Sequence, residues 1–203
     1  NVMRGRIARD GSMKLGGPNL TQAEVVGLER IVIIGCGTAY YAGCYARYEL
    51  ERILGIQVSV EHASEFRYRY GSYDAPTTLA IFMSQSGETA DTLASLQEAK
   101  RRGMKTLGII NTVGSTIARE VDHGGIYLHA GVESSVASTK AYSSMVVALL
   151  MLGGVLSYRR GGTEEATRSL AQDLLRLPEE VRTTLKLQQN IDALADKLSE
   201  HHD

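Results

Sequence analysis

The sequence is poor in the residues that mark several large classes of protein. It has 3 prolines, 2 cysteines and no tryptophan among 203 residues. The cysteines, Cys36 and Cys44, do not make the disulfide framework of a small secreted domain, and their spacing matches no zinc motif. Since such sparse cysteine is typical of a reducing compartment, we predict a cytoplasmic protein without a metal site.

The chain also lacks an excess of charge of either sign and a long hydrophobic run. Its formal net charge is −1, which argues against nucleic acid or an anionic membrane as a partner. The longest uncharged apolar stretch, residues 145–156, is too short to span a bilayer comfortably, and we expect it to be a buried core helix. No basic segment followed by an apolar run opens the chain, so we expect no signal peptide. Because the chain begins with Asn1 rather than Met, we expect it to belong to a longer protein.

Glycine is abundant, with 21 residues, and short apolar runs alternate with helical patterns. The first run, residues 31–34, is continuous and β-branched, which is typical of a strand covered on both faces. Strands that each return through a helix indicate a parallel sheet with helices on both sides. We therefore predict an α/β fold, a three-layer αβα sandwich around a five-stranded parallel sheet. The predicted strands are residues 31–34, 57–61, 79–83, 106–111 and 125–128.

The predicted organisation has three parts. Residues 1–30 form a lead-in broken by glycines, with a short helix at the capping box of Thr21 and Glu24. Residues 31–158 form the core of the domain. Residues 159–203 carry C-terminal helices, one ending before Pro178 and a last one starting near it. That last helix has an apolar stripe made of Val181, Leu187, Ile191, Leu194 and Leu198.

The most informative stretch is Ser84-Gln85-Ser86-Gly87-Glu88-Thr89, between a predicted buried strand and a predicted helix. The first N–H groups of a helix have no internal partners, and the helix dipole is positive there. Hydroxyls at the same turn add donors that can point at one anion, so the turn is a natural cradle for phosphate. No lysine follows Gly87, which separates it from nucleoside-triphosphate loops. The stretch predicts a small phosphomonoester, with a phosphosugar as a natural candidate.

Two further hydroxyl-bearing turns follow predicted strands, at residues 35–38 and 131–140. A lone Ser-x-Ser-Gly turn is about as often a simple helix cap as it is a ligand-binding site. In parallel α/β sheets, however, ligands bind at the carboxyl ends of the strands, where the strand order reverses. Three such turns on one edge are the strongest functional signal in the chain.

Other interpretations remain open for several residues. Gly35, Gly37 and a carboxylate at Glu61 partly mimic a dinucleotide fingerprint, although Tyr40 replaces its third glycine. We expect Cys36 to be a buried inert thiol. For the third turn we expect Lys140 to be solvated or to face the phosphate, and Glu133 either to bond N–H groups of its own loop or to act chemically.

Four segments together resemble the SIS (sugar isomerase) domain family, and more narrowly the isomerase half of the glutamine–fructose-6-phosphate aminotransferases. The resemblance runs in order over nearly the whole chain, and its second and fourth segments are the more specific to the aminotransferases. The segments are residues 36–38, 63–68, 84–92 and 136–141.

The resemblance implies a flavodoxin-like fold and a site for fructose 6-phosphate or glucosamine 6-phosphate. Two departures bear on this site: Ala39 stands where serine is common and can offer only its backbone N–H, and Ser135 stands where glycine is usual. The phosphate would be held by Thr38, Ala39, Ser84, Ser86 and Thr89, and the sugar side by Gln85, Val136 and Ser138.

The same resemblance implies what this chain lacks. The parent reaction converts fructose 6-phosphate and glutamine to glucosamine 6-phosphate and glutamate without a cofactor. A glutaminase domain would release the ammonia, and a second SIS subdomain would carry the lysine, glutamate and histidine of the isomerisation. The family is commonly dimeric. On this interpretation the chain binds hexose phosphate and catalyses nothing alone; the alternative is a regulatory SIS module that binds a phosphosugar as a signal.

Overall fold

The computed structural model describes residues 1–69, 75–134 and 138–199. Within these ranges, helices alternate with the strands of one parallel sheet. The strands are β1 (Arg30–Gly35), β2 (Gln57–His62), β3 (Thr78–Ser84), β4 (Lys105–Ile110) and β5 (Gly125–Tyr127). The helices are α1 (Gln22–Val26), α2 (Thr38–Leu54), α3 (Ala63–Phe66), α4 (Ala90–Arg101), α5 (Thr116–Glu120), α6 (Lys140–Arg159), α7 (Glu164–Leu185) and α8 (Gln188–Ser199).

The sheet has the strand order β2-β1-β3-β4-β5, and every pairing in it is parallel. This is the flavodoxin-like order, in which the sheet grows outward in both directions from β1 and β3. The register of the central pair places Gly35 opposite Met83, so β1 and β3 end level with each other. The predicted fold class is confirmed.

Two hydrophobic cores lie on opposite faces of the sheet. The first strand shows why: Ile31 and Ile33 belong to the core under α2 and α6, whereas Val32 and Ile34 belong to the core under α3, α4 and α5. Successive side chains of a strand point to opposite faces, so a strand covered on both faces needs an unbroken apolar run.

The long apolar helix α6 is part of the first core. By length and composition its 20 residues could cross a membrane. The uncharged stretch identified in the sequence, residues 145–156, is shorter than the helix that contains it. Met145, Ala148 and Leu152 are nevertheless buried, and α6 packs along α2. Burial, rather than shortness, makes it a core helix.

The lead-in is more closely packed than its glycine-rich sequence predicts. The capping box at Thr21 is present and begins α1. A Cβ on Gly17 would lie 1.8 Å from the carbonyl oxygen of Gly125, so the lead-in runs in backbone contact with edge strand β5. Its buried side chains, which join the first core, are Val2, Leu20, Val25 and Leu28.

The prediction that a helix ends before Pro178 is wrong. Helix α7 continues through Pro178 to Leu185, and the chain turns at 186–187 before α8 begins. Proline removes one backbone hydrogen bond and crowds the preceding turn. The carbonyl that loses its partner belongs to Leu174, four residues earlier, which is the last buried residue of the helix, whereas residues 175–180 are all exposed. The rule behind the prediction disfavours helical backbone at the residue before proline, and in α7 the helical turns on both sides of Pro178 override that preference.

The acid stability of the lead-in should depend on Glu24. The backbone N–H of Thr21, then its hydroxyl, and His123 with its ring Nε2 3.2 Å from the carboxylate, lower the pKa of Glu24 from its ordinary 4.5 to about 2. A carboxylate with a lowered pKa stabilises the fold above its unfolded pKa, and that contribution is lost as the pH falls through the folded value. The free energy of unfolding, measured in urea between about pH 5 and pH 2, should therefore fall less steeply in Glu24→Gln than in the wild type. Identical slopes would contradict this role.

Candidate functional site

A cavity of about 170 Å³ opens where the carboxyl ends of β1 and β3 meet. We call it the switch-point cavity. It brings together six of the eight site residues predicted from the sequence, contributed by the turns that follow the two strands. Its lining residues are Cys36, Thr38, Ala39, Met83, Ser84, Gln85, Ser86, Thr89 and Met145.

The turn after β3 is held by its own hydroxyl groups. The Oγ of Ser84 accepts the N–H of Gly87 at 2.9 Å, and the Oγ of Ser86 accepts the N–H of Glu88 at 3.1 Å. A hydroxyl can accept and donate at once. Because each oxygen already accepts a backbone N–H, the O–H hydrogens are the groups left to donate to an anion.

Thr89 is the N-cap residue of α4, but its side chain makes no cap hydrogen bond. Its Oγ1 instead lies 3.2 Å from the Oγ of Ser84 across the turn. The first backbone N–H groups of α4 therefore receive no side-chain cap from Thr89, and the positive end of the helix dipole faces the cavity wall. Two hydroxyls and a helix N-terminus converge on one point.

Gly87 is required by both space and backbone conformation. Its φ is +69°, in the left-handed region that favours glycine. A Cβ there would lie 2.0 Å from the Oγ of Ser115. The turn can approach the loop that follows β4 this closely only because the side chain is absent.

Two backbone hydrogen bonds and one carboxylate fasten the turn to the segment that follows β4. The N–H of Ile117 donates to the carbonyl of Gly87 at 3.1 Å, and Thr112 donates its N–H to the carbonyl of Gln85 at 3.2 Å. The carboxylate of Glu88 accepts the N–H of Thr116 at 2.8 Å, and this bond lowers the pKa of Glu88. We call the bond between Glu88 and Thr116 the Glu88 latch. Sequence analysis missed it because the two residues are 28 positions apart.

The turn after β1 supplies the opposite wall. Gly37 has φ +53° and leads directly into α2 at Thr38, whose side chain lines the cavity. The backbone N–H of Ala39, expected to face a ligand, already donates to the carbonyl of Cys36 at 3.2 Å. Cys36 itself is half-buried and lines the cavity, so it is not the fully buried thiol expected from the sequence.

The third predicted turn is only partly described, because Ser135 and Val136 lie outside the described residues. Glu133 accepts the N–H of Ala141 at 2.8 Å and so caps α6, the structural role that was one of its two predicted roles. That N–H also lowers the pKa of Glu133. Lys140 donates to the carbonyl of Val132 at 2.6 Å, so its ammonium braces the loop.

Ser138 is half-buried, and it is not among the residues that line the switch-point cavity. Within the described part of the chain, its Oγ is shielded from solvent and has no hydrogen-bond partner. Met145 of α6 lines the cavity, although nothing in a uniformly apolar helix distinguished it from its neighbours. Among the described residues of the third turn and α6, Met145 is the one that lines the cavity.

The carboxylate that a dinucleotide site would need is already in an ion pair. Glu61 is buried and forms an ion pair with Arg69, with its side chain only 10% exposed. A ribose hydroxyl would have to compete with a guanidinium for this group. The structure does not favour a nicotinamide site at this end of the sheet.

A larger cavity of about 390 Å³ lies between the lead-in and the last two strands of the sheet, β4 and β5. Its one charged lining residue, Arg6, donates to the carbonyls of Val2 and Tyr127. Burial lowers the pKa of Arg6. Because this guanidinium is committed to backbone carbonyls, the switch-point cavity is the better candidate site despite its smaller volume.

The fold and the cavity together define a flavodoxin-like α/β domain with a hydroxyl-rich turn, the candidate anion site, at its topological switch point. The sequence pattern of the SIS domain matches residues 27–153, which is more than half of the chain. The chain therefore belongs to the SIS domain family.

Several named proteins are similar to this chain in sequence or in structure. The chain is 44% identical, over its whole length, to the glutamine–fructose-6-phosphate aminotransferase (isomerizing) of Symbiobacterium thermophilum, and 42% identical to that of Thermus thermophilus. It spans about a third (33%) of the length of each of these relatives. Among solved structures, the C-terminal domain of the Francisella tularensis glucosamine-fructose-6-phosphate aminotransferase superposes with a TM-score of 0.88 at 34% identity. That match covers 96% of this chain and 54% of the Francisella chain.

The Glu88 latch should respond to pH and to substitution. Since the bond from Thr116 lowers the pKa of Glu88, the latch is intact above the ordinary carboxyl pKa and is lost as the pH falls through the lowered value. The NMR shift of the Thr116 amide should titrate in acid in the wild type and not in Glu88→Gln. Because Glu88→Ala removes the acceptor of this hydrogen bond, it should speed exchange of that amide roughly two- to tenfold.

Glu88→Gln keeps an acceptor oxygen and should retain most of the protection at neutral pH. Glu120→Ala, at the other end of α5, is the matched control and should leave the Thr116 amide unchanged. Equal exchange rates in Glu88→Ala and the wild type would show that the carboxylate does not hold the loop.

Proposed function

We propose that this chain is the phosphosugar-holding half of the isomerase domain of a glutamine–fructose-6-phosphate aminotransferase. The observation that carries the proposal is the convergence of Ser84, Ser86 and Thr89 with Thr38 on one cavity at the N-termini of α2 and α4. The ligand would be fructose 6-phosphate or glucosamine 6-phosphate, with its phosphate against the turn after β3.

The chemistry of the lining suits a phosphate. No lysine or arginine is among the described residues that line the cavity, so neutral donors and helix ends would have to hold the anion. Backbone N–H groups at a helix N-terminus do this well, because they carry partial positive charge and are oriented before the ligand arrives. Hydroxyl donors add short hydrogen bonds to the charged oxygens.

The same lining supports a holding role rather than a complete active site. Pockets that enclose a small molecule usually measure about 300–1,000 Å³, and the switch-point cavity, at about 170 Å³, can enclose little beyond the phosphate end. Among its described lining residues there is no histidine, lysine or carboxylate to move a proton between carbons. The parent protein would supply these groups from a second SIS subdomain and ammonia from a glutaminase domain, within a cytoplasmic homodimer.

Fructose 6-phosphate should bind to this chain, and the hydroxyls should carry much of its affinity. Hydrogen bonds to charged groups contribute about 1.5–3 kcal/mol each. The double variant Ser86→Ala with Thr89→Ala should therefore weaken binding about 100-fold or more, measured by isothermal titration calorimetry. A matched control, Thr183→Ala with Ser199→Ala, also removes one threonine and one serine hydroxyl, but from exposed positions on α7 and α8. It should bind the ligand as the wild type does. Unchanged affinity in the cavity variant would refute the phosphate site.

The purified chain should also leave its ligand unchanged. Proton transfer between C1 and C2 needs a positioned base, so incubation with fructose 6-phosphate in deuterated water should introduce no deuterium at C1 that NMR can detect. Deuterium incorporation above that of a heat-denatured control would overturn the proposal that this chain binds the ligand without isomerising it.

The regulatory SIS module is the rival function, and the absence of histidine, lysine and carboxylate from the described cavity lining fits it equally well. The two functions can be distinguished by what the longer natural chain does to fructose 6-phosphate. An aminotransferase would form glucosamine 6-phosphate from fructose 6-phosphate and glutamine, whereas a sensor would bind the phosphosugar and release it unaltered.

A further inference from the structure

The side-chain amide of Asn111 bonds to two backbone groups of another loop. Asn111 directly follows β4, and the other loop follows β5. The Nδ2 of Asn111 donates to the carbonyl of Gly131 at 2.9 Å, and its Oδ1 accepts the N–H of Ala130 at 2.8 Å. A carboxamide has a donor end and an acceptor end, and here each end has a backbone partner of its own. We call this pair of bonds the Asn111 clamp.

The backbone at the same place bonds in the other direction, to the turn after β3. The N–H of Asn111 donates to the carbonyl of Ser84 at 3.3 Å. Thr112 donates both its N–H and its hydroxyl to the carbonyl of Gln85, each at 3.2 Å. Ser84 and Gln85 line the switch-point cavity. Residues 111 and 112 therefore connect the turn after β3 with the loop after β5.

The clamped loop has left-handed backbone on both sides of Ala130. Gly131 has φ +82°, and His129, with φ +51°, is the one non-glycine residue in the described part of the chain whose φ is positive. Residues other than glycine adopt this region rarely and stay in it only where surrounding contacts impose it. The Asn111 clamp supplies such contacts, because it bonds the peptide groups that follow His129 and Gly131.

This loop begins the connection between β5 and α6, and the connection ends beside the candidate site. Strand β5 is the outermost strand of the sheet, whereas Met145 of α6 lines the cavity between β1 and β3. The connection therefore runs from the edge of the sheet to the cavity. Glu133 fastens it to the start of α6 through the N–H of Ala141, at 2.8 Å. The Asn111 clamp fastens its beginning.

We propose that Asn111 is a positioning residue for the phosphosugar. It fixes the loop after β5 relative to the turn after β3, and thereby sets how the sugar end of the ligand is held once its phosphate is bound. The inference rests on the proposed function, since it assumes a phosphosugar in the cavity. Asn111 is not among the described residues that line the cavity, so it acts through the loop. Its loss should affect the sugar end of the ligand and not the phosphate end.

Binding of two ligands to the same chain tests this role. Inorganic phosphate reports on the turn after β3, and fructose 6-phosphate reports on the sugar side as well. Asn111→Asp keeps the size of the side chain, but the ionised group cannot donate to the carbonyl of Gly131. It should weaken fructose 6-phosphate about tenfold or more and leave inorganic phosphate within about twofold of the wild type, in NMR titrations of the Ser86 and Thr89 amides. Asn190→Asp, exposed on α8, is the matched control and should bind both ligands as the wild type does.

A second pair of variants changes the loop without touching Asn111. A Cβ on Gly131 or on Gly5 would meet no atom within 4 Å, and the two residues have φ of +82° and +72°. Alanine therefore adds backbone strain of the same kind at either position. Gly131→Ala should weaken fructose 6-phosphate selectively, as Asn111→Asp does, whereas Gly5→Ala, in the lead-in, should bind both ligands normally. If Asn111→Asp shows no cooperative unfolding in urea, the Gly131→Ala result decides.

Three results would overturn the inference. The first is unchanged affinity of Asn111→Asp and Gly131→Ala for fructose 6-phosphate. The second is an equal loss of affinity for inorganic phosphate, because the clamp would then act on the whole site and not on its sugar side. The third is a wild-type chain that binds neither ligand, which would refute the proposed function and this inference with it. A wild type that binds both ligands supports the proposed function even where the variants contradict the clamp.

Discussion

The parallel pairing of β1 with β3 is the interaction on which the candidate site depends. Its register brings Gly35 level with Met83, so the turns that follow the two strands start side by side. From there the chain enters α2 on one face of the sheet and α4 on the other. A crevice between the two turns is the geometric consequence, because neighbouring strands lie only about 4.8 Å apart while their helices diverge.

Within that crevice, the groups that hold the turn together are also the groups that face the cavity. Ser84 and Ser86 accept backbone N–H groups with their oxygens, and the hydroxyls of Ser84 and Thr89 also share a hydrogen bond with each other. Gly87 allows the turn to lie against Ser115, and the Glu88 latch fastens it to α5. A site built in this way is ordered before the ligand binds, so less of the binding energy is spent on ordering it.

Two features of the chain point to the same division of labour. The switch-point cavity is too small to enclose a whole hexose phosphate, and its described lining contains no histidine, lysine or carboxylate. Helix α8 carries large exposed apolar side chains, among them Ile191, Leu194 and Leu198, which no described part of this chain covers. An open site and an uncovered helix are what one half of a two-part domain should show. The positioning of the substrate and the chemistry performed on it would then lie in different parts of one longer protein.

Local sequence carried most of the information about the elements. The β-branched run of β1 and the capping box at Thr21 each depend on neighbours a few residues away, and both agree with the structure. The exception, Pro178, is instructive. A local rule assigns proline a cost, but whether that cost ends a helix depends on the helical turns on either side of it, which here continue to Leu185.

By itself, then, the sequence determined the alternation of strands and helices, and with it a parallel sheet whose hydroxyl-rich turns share one edge. Only the tertiary structure decided which of those turns meet. Met145 and Cys36 line the cavity, and Ser138 does not. The carboxylate of Glu88 accepts the backbone N–H of the distant Thr116, and the apolar side chains of α8 are exposed. The physical reason is that periodicity and capping are properties of neighbours along the chain. Contacts across a sheet depend on strand order, which no local pattern encodes.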